Sequence, residues 1–191
     1  MTANIFRALF SITLLLWSCN KNSDDVEIKI DKLLSQMTLE EKVSMISGVN
    51  TFETNPVLRL GIPSLIMTDI SGGGKRTAFP VGVALAASWD TALIRKVGMA
   101  AGNETKALGK NVLLYPCVNI HRLPGGGRNF ESFGEDPHLA AALTVSYING
   151  VQQEGVAATV KHFACNNQEY DRLYIDAHVD ERLFMRFISG F

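Results

Sequence analysis

From residue 31 onward the chain alternates short, almost uninterrupted apolar runs with amphipathic helical patterns, and few folds accept that alternation. LRLGIPSLIMTD (58–69) turns at Gly61-Ile62-Pro63 and then reads as a strand ending at Asp69. VLLYPCVNI (112–120) and VAATVKHF (156–163) read as two further strands, and 84–88 is another short apolar run. Between them, 90–108 reads as a helix capped by Asp90, 138–153 as a helix ended by Gly155, and 179–191 as the start of a third. Upstream, 31–47 is helical in pattern: Thr38-Leu39-Glu40-Glu41 spells a capping box with Thr38 at the N-cap and Glu41 at N3, and Leu39, Val43 and Ile46 recur at helical spacing. Residues 71–76 and 124–135 read as glycine-rich loops. Strands that are apolar on both faces belong in a sheet covered on both sides, and helices between successive strands make those strands parallel. The expectation is an α/β fold of about four βα units, whereas a full eight-fold barrel usually takes about 250 residues.

Composition agrees with a packed domain. The 191 residues are 47% hydrophobic and 19% charged, which excludes wholesale disorder, collagen-like repeats and coiled coil. Eighteen Lys and Arg against 19 Asp and Glu leave a formal charge of −1, so no basic excess points to nucleic acid. Three cysteines are too few for a disulfide scaffold and make no zinc spacing.

The first 19 residues read as an address. Arg7 is a lone n-region charge, and 8–17 is an apolar h-region too short to cross a bilayer. Leu16-Trp17-Ser18-Cys19 is similar to a bacterial lipobox, in which the cysteine is lipidated; a plain signal peptide with an incidental cysteine is the alternative. Residues 20–30 read as a polar tether leading into a domain over 31–191. The expected location is extracytoplasmic, on the periplasmic or outer-membrane face, with the membrane reached through a lipid anchor at Cys19. Cys117 and Cys165 read as small buried thiols, with pairing in an oxidising compartment left open.

Polar groups collect where the apolar runs end. Asp69 ends the first, Asn119, His121 and Arg122 close the second, and Lys161 and His162 close the third. In parallel α/β folds ligands bind at the carboxyl ends of strands. One carboxylate with cations and an imidazole offers acceptors and donors together, which suits a polyhydroxylated ligand. Other motifs fail. Gly72-Gly73-Gly74-Lys75-Arg76 lacks the first glycine and the Ser/Thr of a phosphate-binding loop, and Gly125-Gly126-Gly127-Arg128 does not open a helix after a strand. Asn103-Glu104-Thr105 is a glycosylation sequon by letters but falls within a helix. No metal-ligand spacing and no G-x-S-x-G elbow is present, so neither metal nor cofactor is expected.

Two longer stretches carry a resemblance. LPGGGRNFESFGEDPHL (123–139) is similar to the GRNFE…EDP signature of family 3 glycoside hydrolases, and KHFACNNQEYDR (161–172) to the K-H-F-x-x-N-x-x-E-x-x-R stretch of their β-glucosidase branch. RLGIPSLIMTD (59–69), TAFPVGVALAASWD (77–90) and VDER (179–182) follow the same order and spacing. The resemblance implies part of an (α/β)8, TIM-like barrel, with an α/β sandwich domain after the barrel in the family. It implies a retaining, exo-acting hydrolase of terminal β-linked sugars, with an oligosaccharide or glycoside as substrate. Carried over by motif, Asp69 accepts from sugar hydroxyls, while Arg128, Lys161, His162 and Arg172 donate to them; Glu131 braces its loop by pairing with a nearby cation.

The departures bear on chemistry. The family's Asp-Gly-Pro is Asp69-Ile70-Ser71 here, and its VDERTLRE helix reads VDERLFMRF. The resemblance places the nucleophilic Asp and the acid/base beyond Phe191, so no catalytic residue is assigned within the chain and the isolated chain is expected to be inactive. The dyad of the N-acetylglucosaminidase branch follows K-H-F-P-G-H-G, where this chain has Lys161-His162-Phe163-Ala164-Cys165. The alternative reading is a non-catalytic sugar-binding lipoprotein using the same rim. A third is a barrel completed by a second polypeptide.

Overall fold

The computed structural model describes residues 21–69 and 76–187. Contacts divide the chain into two compact units, residues 1–48 with 54–64 and residues 49–53 with 65–191.

In the smaller unit, α1 (Lys21–Gln36) is followed by α2 (Leu39–Ile46) and a 3-10 turn at Leu58–Leu60. Most of the segment expected to be a tether is therefore helical, from Lys21 onward. The helical stretch expected over 31–47 divides at 37–38, where the expected capping box starts a new helix with Thr38 as its N-cap. Thr38 is extended (φ −73°, ψ 165°), its hydroxyl accepts from the Glu41 amide at 3.2 Å, and Glu41 Oε2 accepts from the Thr38 amide at 2.9 Å. That reciprocal pair satisfies the free N–H groups of a helix start and belongs at a start. Glu41 also accepts from Arg59 Nε at 2.6 Å, and Arg59 Nη2 donates to the Gln36 carbonyl at 2.8 Å. The apolar side chains Leu39, Val43 and Ile46 are exposed.

A two-stranded ribbon, β1 (Gly48–Asn50) with β2 (Glu53–Thr54), precedes the main sheet. The larger unit is built on three parallel strands in the order β3 (Met67–Asp69), β4 (Val112–Leu114), β5 (Ala157–Ala158). Their register pairs Asp69 with Leu114, and Leu113 with both Thr68 and Ala158. Helices α3 (Gly82–Ala86) and α4 (Thr91–Ala107) connect β3 to β4, α5 (Pro137–Gln153) connects β4 to β5, and α6 (Glu181–Phe187) follows β5.

The strands are shorter than the apolar runs that announced them. Pro116 has no N–H to give the ladder after Leu114. Pairing resumes past it as isolated bridges, Cys117 with Ser132 and Cys117 with Lys161, and the Val118 amide donates to the Lys161 carbonyl at 2.7 Å. Extended chain thus carries on to the rim, although regular strand does not.

Local signals set the helix ends. Asp90 Oδ1 accepts from the amides of Ala92 (2.9 Å) and Leu93 (3.0 Å). Asp136 does the same for His138 and Leu139, with Pro137 in the first turn where its missing N–H costs nothing. The core lies between the sheet and the α4–α5 pair: Ile94, Leu113, Leu143, Tyr147 and Val151 are fully buried. Tyr115 packs edge-on against Tyr147 at 4.9 Å between centroids and against Phe133 at 6.4 Å. Helices α4 and α5 meet backbone to backbone, and a Cβ on Gly150 would lie 2.2 Å from the Arg95 carbonyl oxygen. That close approach fixes the helix pair and, through it, the loops leaving the strands.

Candidate functional site

Ion pairs gather at the carboxyl ends of the strands. Asp69, the last residue of β3, accepts a hydrogen bond from Lys161 Nζ at 2.6 Å, both side chains being part-buried. The pair joins residues 92 positions apart and depends on the parallel register. After β4, the loop turns at Asn129–Glu131 and pairs Arg128 Nε with Glu131 Oε1. The other Glu131 oxygen accepts from the Cys117 thiol at 3.3 Å, and its carbonyl accepts from the Tyr115 hydroxyl at 3.2 Å. After β5, Glu169 accepts from Asn166 Nδ2 at 2.9 Å and from Arg172 Nη1 at 3.0 Å. Three carboxylates thus hold three cations.

His162 sits among them. Its backbone amide and its Nδ1 both meet Asn119 Oδ1, at 3.1 and 3.0 Å, while Asn119 Nδ2 donates to the His162 carbonyl at 3.4 Å. With Asn119 Oδ1 the acceptor, Nδ1 carries the proton, and the neutral ring presents Nε2 as an acceptor. In that arrangement the protonated ring donates through Nε2 and the neutral ring accepts there. Burial lowers the His162 pKa, and the charges of Arg128 and Lys161 push the same way, against a smaller opposing effect of Glu131.

Electrostatics separate the other members. Burial works against the Arg128 charge, but Glu131 and then Glu169 hold its pKa above the ordinary arginine value. Burial would raise the Glu169 carboxyl, yet the bonds from Arg172 and Asn166 and the nearby Arg128 keep it below the usual range. The Cys117 thiol is pushed up to about 12 by burial and the Glu131 charge. Cys117 and Cys165 are both free thiols, Cys117 fully buried.

Four of the five sequence-derived candidates are ion-paired at this rim, and the fifth, His162, is held by Asn119. Arg128 and His162 line one polar cleft with Asn119, Glu131, Asn166, Asn167 and Glu169. Asp69–Lys161 stands beside it, since Lys161 acts electrostatically on His162, and Arg172 reaches the cleft through Glu169. Cys19 lies outside the described residues, as do the glycines 72–74 and the Ile70-Ser71 departure. Glu169 and Asn166 belong to the K-H-F-x-x-N-x-x-E-x-x-R stretch but carry no role among the sequence-derived candidates. Their signal is the three-residue spacing Asn166, Glu169, Arg172, across which Glu169 accepts from both neighbours. The two motif loops also touch: a Cβ on Gly126 would lie 2.8 Å from the Asn167 carbonyl oxygen, and one on Gly127 would lie 3.4 Å from Glu169 Cγ. Among the described residues, no group of three or more His, Cys, Asp and Glu could hold a metal ion.

Parallel strands with covering helices, and a charged cleft on the loops at their carboxyl ends, define an α/β domain of the kind whose sites lie at the strand ends. Comparison with known proteins narrows the class. Residues 14–191 match the N-terminal domain of glycosyl hydrolase family 3. The chain belongs to that family, and its larger unit is part of an (α/β)8-type barrel. A β-glucosidase from Rhizobium radiobacter is 48% identical over 163 residues, covering 80% of this chain and 20% of that protein. Among solved structures, the family 3 β-glucosidase of Bifidobacterium adolescentis superposes with a TM-score of 0.75 at 41% identity, over 81% of this chain and 24% of that one. β-Glucosidase 3B of Thermotoga neapolitana, solved in complex with α-D-glucose, gives 0.68 at 38% identity, over 74% and 24%. The chain thus spans about a fifth of the length of the curated relative and about a quarter of the solved ones.

Proposed function

We propose that this chain supplies the sugar-holding wall of a retaining, exo-acting β-glycosidase of the β-glucosidase type. The observation that carries the reading is the set of three ion pairs disposed about a neutral histidine at the strand ends. Asp69 accepts from hydroxyls of the terminal sugar. Lys161, Arg128 and Arg172 donate to them, each held in place by its own carboxylate, and neutral His162 accepts through Nε2. A sugar ring needs such alternating donors and acceptors, and side chains fixed before binding lose little entropy on binding. The glucose complex of the Thermotoga protein supports glucose as the first ligand to try. Calorimetric titration with D-glucose is the test. Saturable binding that weakens about tenfold or more in both Asp69→Asn and Lys161→Met is expected. No binding, or binding indifferent to both substitutions, overturns the reading.

The same proposal places the protein outside the cytoplasm, held at the membrane by a lipid on Cys19. The support is the apolar stretch 8–17 followed by the lipobox-like Leu16-Trp17-Ser18-Cys19. Labelling cells with an alkynyl fatty acid should mark the wild-type protein and leave Cys19→Ala unmarked. Equal labelling of the two would refute the anchor.

A further inference from the structure

In the sequence Asn119 is one of three polar groups that close an apolar run. Its side chain is spent on His162. One amide oxygen takes both the backbone amide and Nδ1 of His162, and the amide nitrogen returns a bond to the His162 carbonyl. These three contacts link β4's extension to β5's and fix the amide's orientation, because the reversed amide would set its NH2 against the His162 amide N–H. The far ring nitrogen, Nε2, makes no hydrogen bond to a described residue, and the ring lines the cleft.

We infer that Asn119 is a positioning residue that locks His162 in its Nδ1–H form, so that Nε2 acts as a hydrogen-bond acceptor selecting a ligand hydroxyl able to donate. The inference deepens the sugar-binding reading and rests on it for the ligand, though not for the tautomer. Lys161, Arg128 and Arg172 surround the ring and can only donate. An acceptor among them breaks the degeneracy of the site. A hydroxyl satisfies both kinds of partner, whereas a fluorine in its place offers Nε2 nothing and leaves it desolvated and unpaired. Sites built to bond a hydroxyl reject analogues lacking the donor more sharply than apolar pockets reject a change of size. Asn119 itself touches no ligand in this scheme.

Long-range proton–nitrogen NMR on the histidine-labelled chain reads the tautomer with no ligand present. Wild type should show Nδ1–H, Asn119→Ala should move toward Nε2–H, and Asn119→Asp should keep Nδ1–H while raising the His162 pKa. Should the alanine variant fail to fold, the near-isosteric aspartate variant still decides: loss of Nδ1–H or an unraised pKa there overturns the inference, as does Nε2–H in wild type. Calorimetry then compares D-glucose with the set of singly deoxyfluorinated glucoses. One of these should bind wild type about tenfold more weakly than glucose, and the gap should narrow in Asn119→Ala. A gap that is absent, or equal in both proteins, overturns the selection. If wild type binds no glucose at all, the sugar reading and the selection fall together, and the tautomer spectra still judge the positioning of His162.

Discussion

His162 is surrounded by more cations than anions, and this gives its titration a definite sign. Its folded pKa lies below the ordinary histidine value of 6.5, first through burial and then through Arg128 and Lys161. Between those two values the unfolded chain binds more protons than the folded one. Stability from this group is therefore present above 6.5, is lost as pH falls from there through the folded value, and is constant below it. The melting temperature should fall across that window, and fall less in His162→Gln; identical pH slopes would contradict the assignment. Glu131 is the anion opposing the shift, so Glu131→Gln should lower the His162 pKa further, and Arg128→Gln should raise it. Chemical-shift titration of the ring reads both, and a rise in Glu131→Gln would mean that the Arg128–Glu131 pair does not face His162 in solution.

The helix pair α4–α5 is held by contacts that leave no room for a methyl group. A Cβ on Gly150 would stand 2.2 Å from the Arg95 carbonyl oxygen, and one on Gly98 would stand 2.4 Å from that of Tyr147. Backbone cannot yield as a side-chain tip can, so Gly150→Ala should destabilise the larger unit by about 2–4 kcal/mol in denaturant melts. Gly109, at φ +70° with open space around its Cβ direction, is the control. Its alanine variant carries only the cost of a left-handed residue, about 1 kcal/mol. Equal losses would mean that the helices are not in backbone contact. Helix positions were legible in the sequence because their signals are local: Asp90 and Gly155 mark ends within a few residues of the atoms they satisfy. The interruption at 37–38 is legible too, since a capping box names a start and Leu39, Val43 and Ile46 all follow it. Strand lengths were not legible, because ladder pairing is decided by distant partners and Pro116 removes a donor inside an apolar run. Nor were the glycine contacts, whose partners lie about 50 residues away. At the site, Asp69, Lys161 and His162 could be found from their position at the ends of apolar runs. Glu169 could not be found that way, because it stands in the polar loop beyond the run that closes at Phe163.

A retaining glycosidase needs two carboxyl groups about 5–5.5 Å apart, one free to attack the anomeric carbon and one with a raised pKa to protonate the leaving oxygen. The carboxylates of this rim are committed elsewhere. Asp69 is bonded to Lys161, Glu131 to Arg128 and Cys117, and Glu169 to Arg172 and Asn166. Glu169 is moreover held below the usual carboxyl range, the wrong direction for a general acid at neutral pH. Apolar surface also stands open beside the site. A cavity of about 420 Å³ lies between α5 and the chain after β4 and β5, lined by Val145, Ile148 and Val160 on its apolar side and reaching Asn119, Lys161 and His162 of the site. At this side Val145 is 56% and Phe163 87% exposed. Apolar surface of that kind on a parallel sheet binds whatever apolar partner is available. The 191-residue chain, purified alone, should therefore bind a hydrophobic dye strongly and release no phenol from aryl β-glucosides, even where it binds glucose. Turnover above the solvent rate, if removed by Glu131→Gln or Glu169→Gln, would show that one of these ion-paired carboxylates acts on the glycosidic bond, and the division of the site into a holding wall and a separate reacting pair would have to be abandoned.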